Sequence, residues 1–280
     1  MKKIITTISL SLALAANSFA QMSCCVKPSS TNTFATLSHD KKFVASHLEP
    51  IPFVLANPMG KEISYKTPDG KEGYGYEIKA ATPTNNYVFV IHEWWGLNDY
   101  IKQESENIYK SLGNVNIIAI DMYDKKVATT RDSAGKYMND LKADRGEAII
   151  KGALNYVGIK AKIATIGWCF GGGWSLQASL LAGKQGIACV MYYGMPEDKI
   201  EKLKTLNTPV LFVWAEKDQW INKEVVTKFE TNMKTVNKLL TVKSYDADHA
   251  FANPSNPKFS KEFADDAMQN SIEFIKKNLR

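Results

Sequence analysis

Cysteine is scarce in this chain. Four occur in 280 residues, Cys24, Cys25, Cys169 and Cys189, too few for a disulfide scaffold. No block of lysine or arginine is dense enough to grip a phosphate backbone. The formal charge of +6 is spread along the chain and reads as a solvated basic surface, so nucleic acid is not an expected partner. Both common phosphate-cradling loops are missing: no Gly-Lys-Ser/Thr closes a glycine-rich turn, and no Gly-x-Gly-x-x-Gly follows the first strand of the alternating region. A nucleotide site is therefore not expected, and neither is any other cofactor or metal. Beyond residue 20 no run of about eighteen apolar residues occurs, so the mature chain is expected to have no membrane span. Nothing in the sequence sets an oligomeric state.

The start of the chain is compositionally apart. Met1, Lys2 and Lys3 open it with positive charge, residues 4–16 are apolar with interspersed Ser and Thr, and Ser18 and Ala20 are small. This pattern predicts a secretory signal peptide over residues 1–20, cleaved after Ala20, and hence an exported, periplasmic or secreted protein. Cys24 and Cys25 then lie just behind the new N-terminus. Lipoprotein anchoring at Cys24 is a minor alternative, because Gln21, Met22 and Ser23 make a poor lipid-attachment box. Residues 21–58 are frequent in Ser, Thr and Pro and weak in periodicity, and read as an irregular extension.

Residues 59–280 are expected to form one α/β domain. A hydrophobic fraction of 45% and a charged fraction of 23% are ordinary for a globular chain of this size. Two alternating runs, 61–66 and 73–79, flank Asp69-Gly70 and predict a hairpin. Continuous apolar runs follow at 87–92, 116–121, 162–167, 187–193, 209–215 and 240–245. Helical patterns separate them at 99–112, at 132–157 with a break, and at 172–182 and 222–236; a last one covers 259–279. Apolar strands alternating with helices imply a mostly parallel sheet with helices on both faces.

The sharpest local signal is Gly167-Trp168-Cys169-Phe170-Gly171, which follows a strand and opens a helix. This is the Gly-x-nucleophile-x-Gly turn, with cysteine where serine is commoner. Such a turn points the sulfur out of the sheet and seats it at a helix N-terminus, whose dipole favours thiolate. A cysteine nucleophile needs a base and an orienting acid, which on this architecture follow in the order acid, then histidine. Of the four histidines, His39 and His47 lie in the extension, and His92 ends a strand and reads as structural. His249 follows the last strand and is the candidate base. Asp218, after the strand at 209–215, is the candidate acid, with Glu216 and Asp248 as competitors. Cys189 lies in an apolar run and reads as core.

Four motifs together resemble those of the dienelactone hydrolase family (carboxymethylenebutenolidases). They are Ile-His-Glu-Trp-Trp-Gly-Leu-Asn from Ile91 to Asn98, Asp121-Met122-Tyr123, the cysteine turn, and His249-Ala250-Phe251. The resemblance covers roughly residues 63–279 and implies an α/β-hydrolase fold with Cys169, Asp218 and His249 as the triad. It further implies that Glu93 contacts the resting cysteine and that the backbone N–H groups of Trp94 and Phe170 form the oxyanion hole. Trp95 and Trp168 would be pocket walls, with Tyr123, Lys125, Phe251 and Asn253 as further substrate-binding positions.

The substrate site departs from the family pattern. Lys125 stands near where one substrate-binding arginine is expected, and Asn253 where the other is. The reading is a hydrolase of small carboxylic esters or lactones that works through a thioester acyl-enzyme. The alternatives are a thioesterase or general carboxylesterase on the same triad, or a catalytically silent α/β-hydrolase acting as a binding protein.

Overall fold

The computed structural model describes residues 29–256 and 258–279. The expected signal peptide, Cys24 and Cys25 lie outside them. Eight strands form one sheet: β1 (Lys61–Lys66), β2 (Glu72–Ile78), β3 (Asn86–Ile91), β4 (Asn116–Asp121), β5 (Lys162–Trp168), β6 (Gly186–Tyr192), β7 (Val210–Ala215) and β8 (Leu240–Tyr245). Their spatial order is β1-β2-β4-β3-β5-β6-β7-β8. The hairpin β1–β2 is antiparallel and pairs antiparallel to β4; all pairings from β4 to β8 are parallel. The hairpin turns at Gly70, whose φ of +80° suits a residue without a side chain.

Strands β4 and β7 are buried along their whole length, which explains their unbroken apolar sequence: both faces carry helices. Helix α3 (Asp99–Leu112) packs with α9 (Lys261–Leu279) on one face, and α5 (Ala143–Val157) packs with α6 (Phe170–Ala182) on the other. Helix α4 (Arg131–Asp140) is separated from α5 at Leu141 and Lys142, the break expected within 132–157. Helix α8 (Lys223–Thr235) docks on β7 through Phe229 against Phe212. A short helix, α7 (Ile200–Lys204), has too few turns to show a period and was not expected.

The order of the strands locates the chemistry. From β3 the chain crosses first to β4 on one side and then returns to β5 on the other. The carboxyl ends of β3 and β5 therefore flank the switch point, where open α/β sheets bind ligands. Ile91 and Gly167 are paired across these strands, so Glu93 and Cys169, each two residues further on, emerge side by side.

The extension is less irregular than its composition implied. Residues 30–46 hold two short helices, α1 (Ser30–Ala35) and α2 (Lys41–Ser46), joined by a 3₁₀ turn. Both have side-chain caps: Ser29 Oγ accepts from Asn32 N–H, and Asp40 accepts from the N–H groups of Lys42 and Phe43. Each helix is too short to display a 3.6-residue period. What holds them is burial of Phe34 and Phe43 against the domain, a tertiary effect that overrides weak local propensity.

Candidate active site

Cys169 sits between β5 and α6 with φ 55° and ψ −117°, a left-handed conformation that costs a non-glycine residue about 1–3 kcal/mol. The turn is tight enough to require its glycines. A Cβ on Gly167 would lie 2.2 Å from the Gly171 carbonyl oxygen, and one on Gly171 would lie 2.3 Å from that of Ile91. The Cys169 N–H donates to Tyr192 O at 3.0 Å, pinning the turn to β6.

Asp218 and His249 arrive from the ends of β7 and β8. His249 Nδ1 lies 2.5 Å from Asp218 Oδ2, and its Nε2 lies 3.3 Å from Cys169 Sγ. The other Asp218 oxygen accepts from the N–H groups of Trp220 and Ile221, each at 2.9 Å. These contacts fix the carboxylate, and the carboxylate fixes the imidazole with its Nδ1–H donated to Asp218 and Nε2 directed at sulfur. Glu216 and Asp248, the competing acids, are not the partners of His249.

The electrostatics follow from burial and from these pairs. Burial works against the Asp218 charge, but His249 and the two N–H donors hold its carboxyl below the usual range. Burial likewise disfavours imidazolium, yet the charge of Asp218 and the Cys169 sulfur raise His249 well above its ordinary value. Burial pushes the Cys169 thiol up, outweighing His249 and the Phe170 N–H that both favour thiolate. The expected lowering by the helix terminus is thus reversed: desolvation of a fully buried sulfur exceeds the partial charge of one helix end. The sulfur and the imidazole are thus a coupled pair in hydrogen-bond contact.

Glu93 is buried beside them but does not hold the cysteine. Its Oε2 accepts from Asn253 Nδ2 at 2.5 Å and its Oε1 from the Tyr193 hydroxyl at 3.4 Å, while the sulfur's hydrogen bond goes to His249. Burial pushes the Glu93 carboxyl up to about 7, against the opposing pull of His249, Asn253 and Tyr193. Asn253 is correspondingly a support for Glu93; its own oxygen accepts from Ser255 N–H and Oγ.

Glu93 also lines a cavity of about 260 Å³, with Trp95, Trp168, Tyr192 and Asn253 among its other walls. Glu104 and Asp265 stand at its far side, and among the described residues no lysine or arginine lines it. Trp95 and Trp168 are thus where pocket walls were expected. Lys125 is not: its backbone is left-handed (φ 68°), and its ammonium sits 4.1 Å over the Tyr74 ring, a cation–π contact away from the cavity. Phe251 is also displaced from the expected role. It is fully buried between Tyr193, Tyr245 and Phe263, as core. Tyr123 packs on Phe170, and its hydroxyl, like the Trp94 indole N–H, is buried without a hydrogen-bond partner among the described residues.

His92 is structural, as its position implied. Its Nε2 accepts from Met122 N–H and its Nδ1 donates to Glu93 O, and burial lowers it to about 4. His47, set aside with the extension, is instead part of the site: its Nε2 lies 3.9 Å from Cys169 Sγ, and its ring packs on Trp94 and His249. Phe43 and Trp220 complete this aromatic cover over His249. Spacing along the chain held no signal for these contacts.

A Gly-x-Cys-x-Gly turn, an acid and a histidine at the carboxyl ends of β5, β7 and β8 of a switch-point sheet define an α/β-hydrolase. The profile of the dienelactone hydrolase family matches residues 73–279, so the chain belongs to that family, hydrolases of ester and lactone bonds. Protein usf of Aquifex pyrophilus is 30% identical over 238 residues, covering 79% of this chain and all of its own. Carboxymethylenebutenolidase 1 of Cupriavidus pinatubonensis is 23% identical, covering 77% of this chain and 95% of its own. Among solved structures, a dienelactone hydrolase-like promiscuous phosphotriesterase from metagenomic libraries superposes with a TM-score of 0.64 at 18% identity, covering 79% of this chain and 99% of its own. The dienelactone hydrolase of Anabaena variabilis does so at 0.56 and 16%, covering 80% and 100%. These two show a shared fold.

Proposed function

We propose that the protein hydrolyses small, uncharged carboxylic esters or lactones with Cys169 as nucleophile, His249 as base and Asp218 as the residue that orients it. The observation that carries this reading is the unbroken path Asp218 Oδ2–His249 Nδ1, His249 Nε2–Cys169 Sγ at 2.5 and 3.3 Å. As sulfur attacks the carbonyl carbon, its proton passes to His249 Nε2, and the imidazolium is held by Asp218. The oxyanion faces the Phe170 N–H, already directed at the sulfur, with the Trp94 N–H as second donor. Collapse expels the alkoxide, which takes the proton from His249. Water, deprotonated by His249, then cleaves the thioester, releases the acid and restores the thiol.

The absence of a lysine or arginine from the described cavity lining favours neutral substrates over a carboxylate-bearing lactone. The composition of residues 1–20 supports export before the enzyme acts, and N-terminal mass analysis of the exported fraction tests that part. The activity is tested with chromogenic acetate and butyrate esters and with neutral and carboxylate-bearing lactones. A burst of alcohol with acyl-Cys169 trapped by mass spectrometry is the expected result. Full turnover by Cys169→Ala would overturn it.

A further inference from the structure

Three buried Lewis-base atoms converge on one another where only one proton is available. His47 Nδ1 lies 2.7 Å from Phe43 O, a pure acceptor, so Nδ1 carries the hydrogen and Nε2 a lone pair. His249 is fixed in the same tautomer by Asp218. Both Nε2 lone pairs point at Cys169 Sγ, from 3.9 and 3.3 Å. The single S–H satisfies one of them. If its proton passes to His249, the lone pair of His47 faces a thiolate instead. Among the described residues the sulfur is the one hydrogen-bond partner of His47 Nε2, although only 3% of the residue is exposed.

A metal ion satisfies all three atoms at once. Tetrahedral zinc, with bonds of about 2.3 Å to sulfur and about 2.0 Å to nitrogen, needs S···N separations of about 3.5 Å. The two separations here bracket that value, and the three donor atoms lie within 4.8 Å of one another. Each histidine already has the outer partner that a metal-bound imidazole needs, Phe43 O for His47 and the Asp218 carboxylate for His249. The charges also balance: two positive on the ion against one thiolate and one carboxylate, a neutral set suited to a buried site. One thiolate with two imidazoles is a donor set for zinc rather than for magnesium or calcium.

We propose that His47, Cys169 and His249 form a three-ligand zinc site, with water as fourth ligand, that holds the enzyme silent while occupied. On binding, the S–H bond breaks, an S–Zn bond forms and the proton leaves to solvent. The silencing rests on Cys169 and His249 being the catalytic pair; the binding does not. Because His47 lies in the segment of α1 and α2, the ion would also tie that segment down.

The test uses the full chain freed of metal with a chelator, titrated with zinc against a chromophoric competitor and with cobalt by absorbance. One equivalent should bind with release of one proton, and cobalt should give a thiolate-to-metal charge-transfer band. Loss of even an outer-shell partner costs about ten- to a hundredfold in affinity, so His47→Ala should weaken binding by more than about a hundredfold. His47→Gln, closer in shape, serves should His47→Ala fold poorly, and Cys169→Ser should abolish the band. One equivalent of zinc should stop ester hydrolysis and a chelator should restore it. Stoichiometric binding with the band in a chain that hydrolyses no ester would uphold the site and sink the hydrolase reading. Absence of stoichiometric binding, or equal affinity in the His47 variants, would overturn the proposal.

Discussion

Glu93 makes folding stability depend on pH in a direction opposite to that of most carboxylates. Its carboxyl is pushed up to about 7 by burial, against about 4.5 for the exposed side chain. Between those values the folded state holds a proton that the unfolded state has lost. Stability from this group is therefore fully present below about pH 4.5 and is lost as pH rises through about 7. A shift of roughly 2.5 units at 1.36 kcal/mol per unit amounts to about 3 kcal/mol, a large share of the total stability of a domain. The charge of His249, and then donation from Asn253 Nδ2 and the Tyr193 hydroxyl, oppose burial and hold the value near 7.

The perturbation is Glu93→Gln, which keeps shape and removes the titration. Urea unfolding of both proteins from pH 4.5 to 8 isolates the group, since other titrations cancel in the difference. Relative to the variant, the native protein should lose about 3 kcal/mol of stability across that range, most of it between pH 5 and 7. Parallel curves would show that Glu93 is not held protonated by its surroundings, and the reasoning from burial would fail.

Cys169→Ala should abolish ester turnover with a circular dichroism spectrum like that of the native chain, as should alkylation of the thiol. Asp218→Asn should lower kcat by at least about a hundredfold while leaving KM within a few fold, because it disturbs the imidazole and not the cavity; a change confined to KM would exclude the assigned role. Gly171→Ala drives a Cβ against two backbone carbonyls, Ile91 O at 2.3 Å and His92 O at 2.4 Å, and should lower unfolding stability by about 1–3 kcal/mol or more. Glu104→Gln should raise kcat/KM for a carboxylate-bearing lactone by about tenfold with neutral esters little changed, the order of magnitude expected for one acidic group fewer in the cavity lining; equal effects on both substrates would argue against a role for cavity charge.

What could be read from the sequence was what depends on strand ends. The apolar runs and the Gly-x-Cys-x-Gly turn place Cys169, and chain order places Asp218 and His249, because a parallel sheet delivers the residues after successive strands to one edge. The same logic set Glu93 beside Cys169. It failed where a side chain's direction or partner decides. Lys125 turns toward Tyr74 and Phe251 into the core, and no periodicity encodes such choices. The thiol's pKa was misjudged for a related reason: a helix end is visible in sequence, whereas the degree of burial that outweighs it is not.

The extension shows the same limit on a larger scale, with a consequence for how the site is built. The family match begins at residue 73, and everything in the proton path from Asp218 to Cys169 lies within it. Yet the sulfur is closed off by residues outside it. Phe43 packs against Trp94, Trp220 and His249, and His47 reaches the sulfur itself. The segment packs on α6 and α4 through its buried rings, with hydrogen bonds from Gln177 to Ser30 and from Trp220 to Asp40. The Asp218–His249–Cys169 constellation and its cover thus come from different parts of one chain, the first placed by strand order and the second by aromatic contacts over His249.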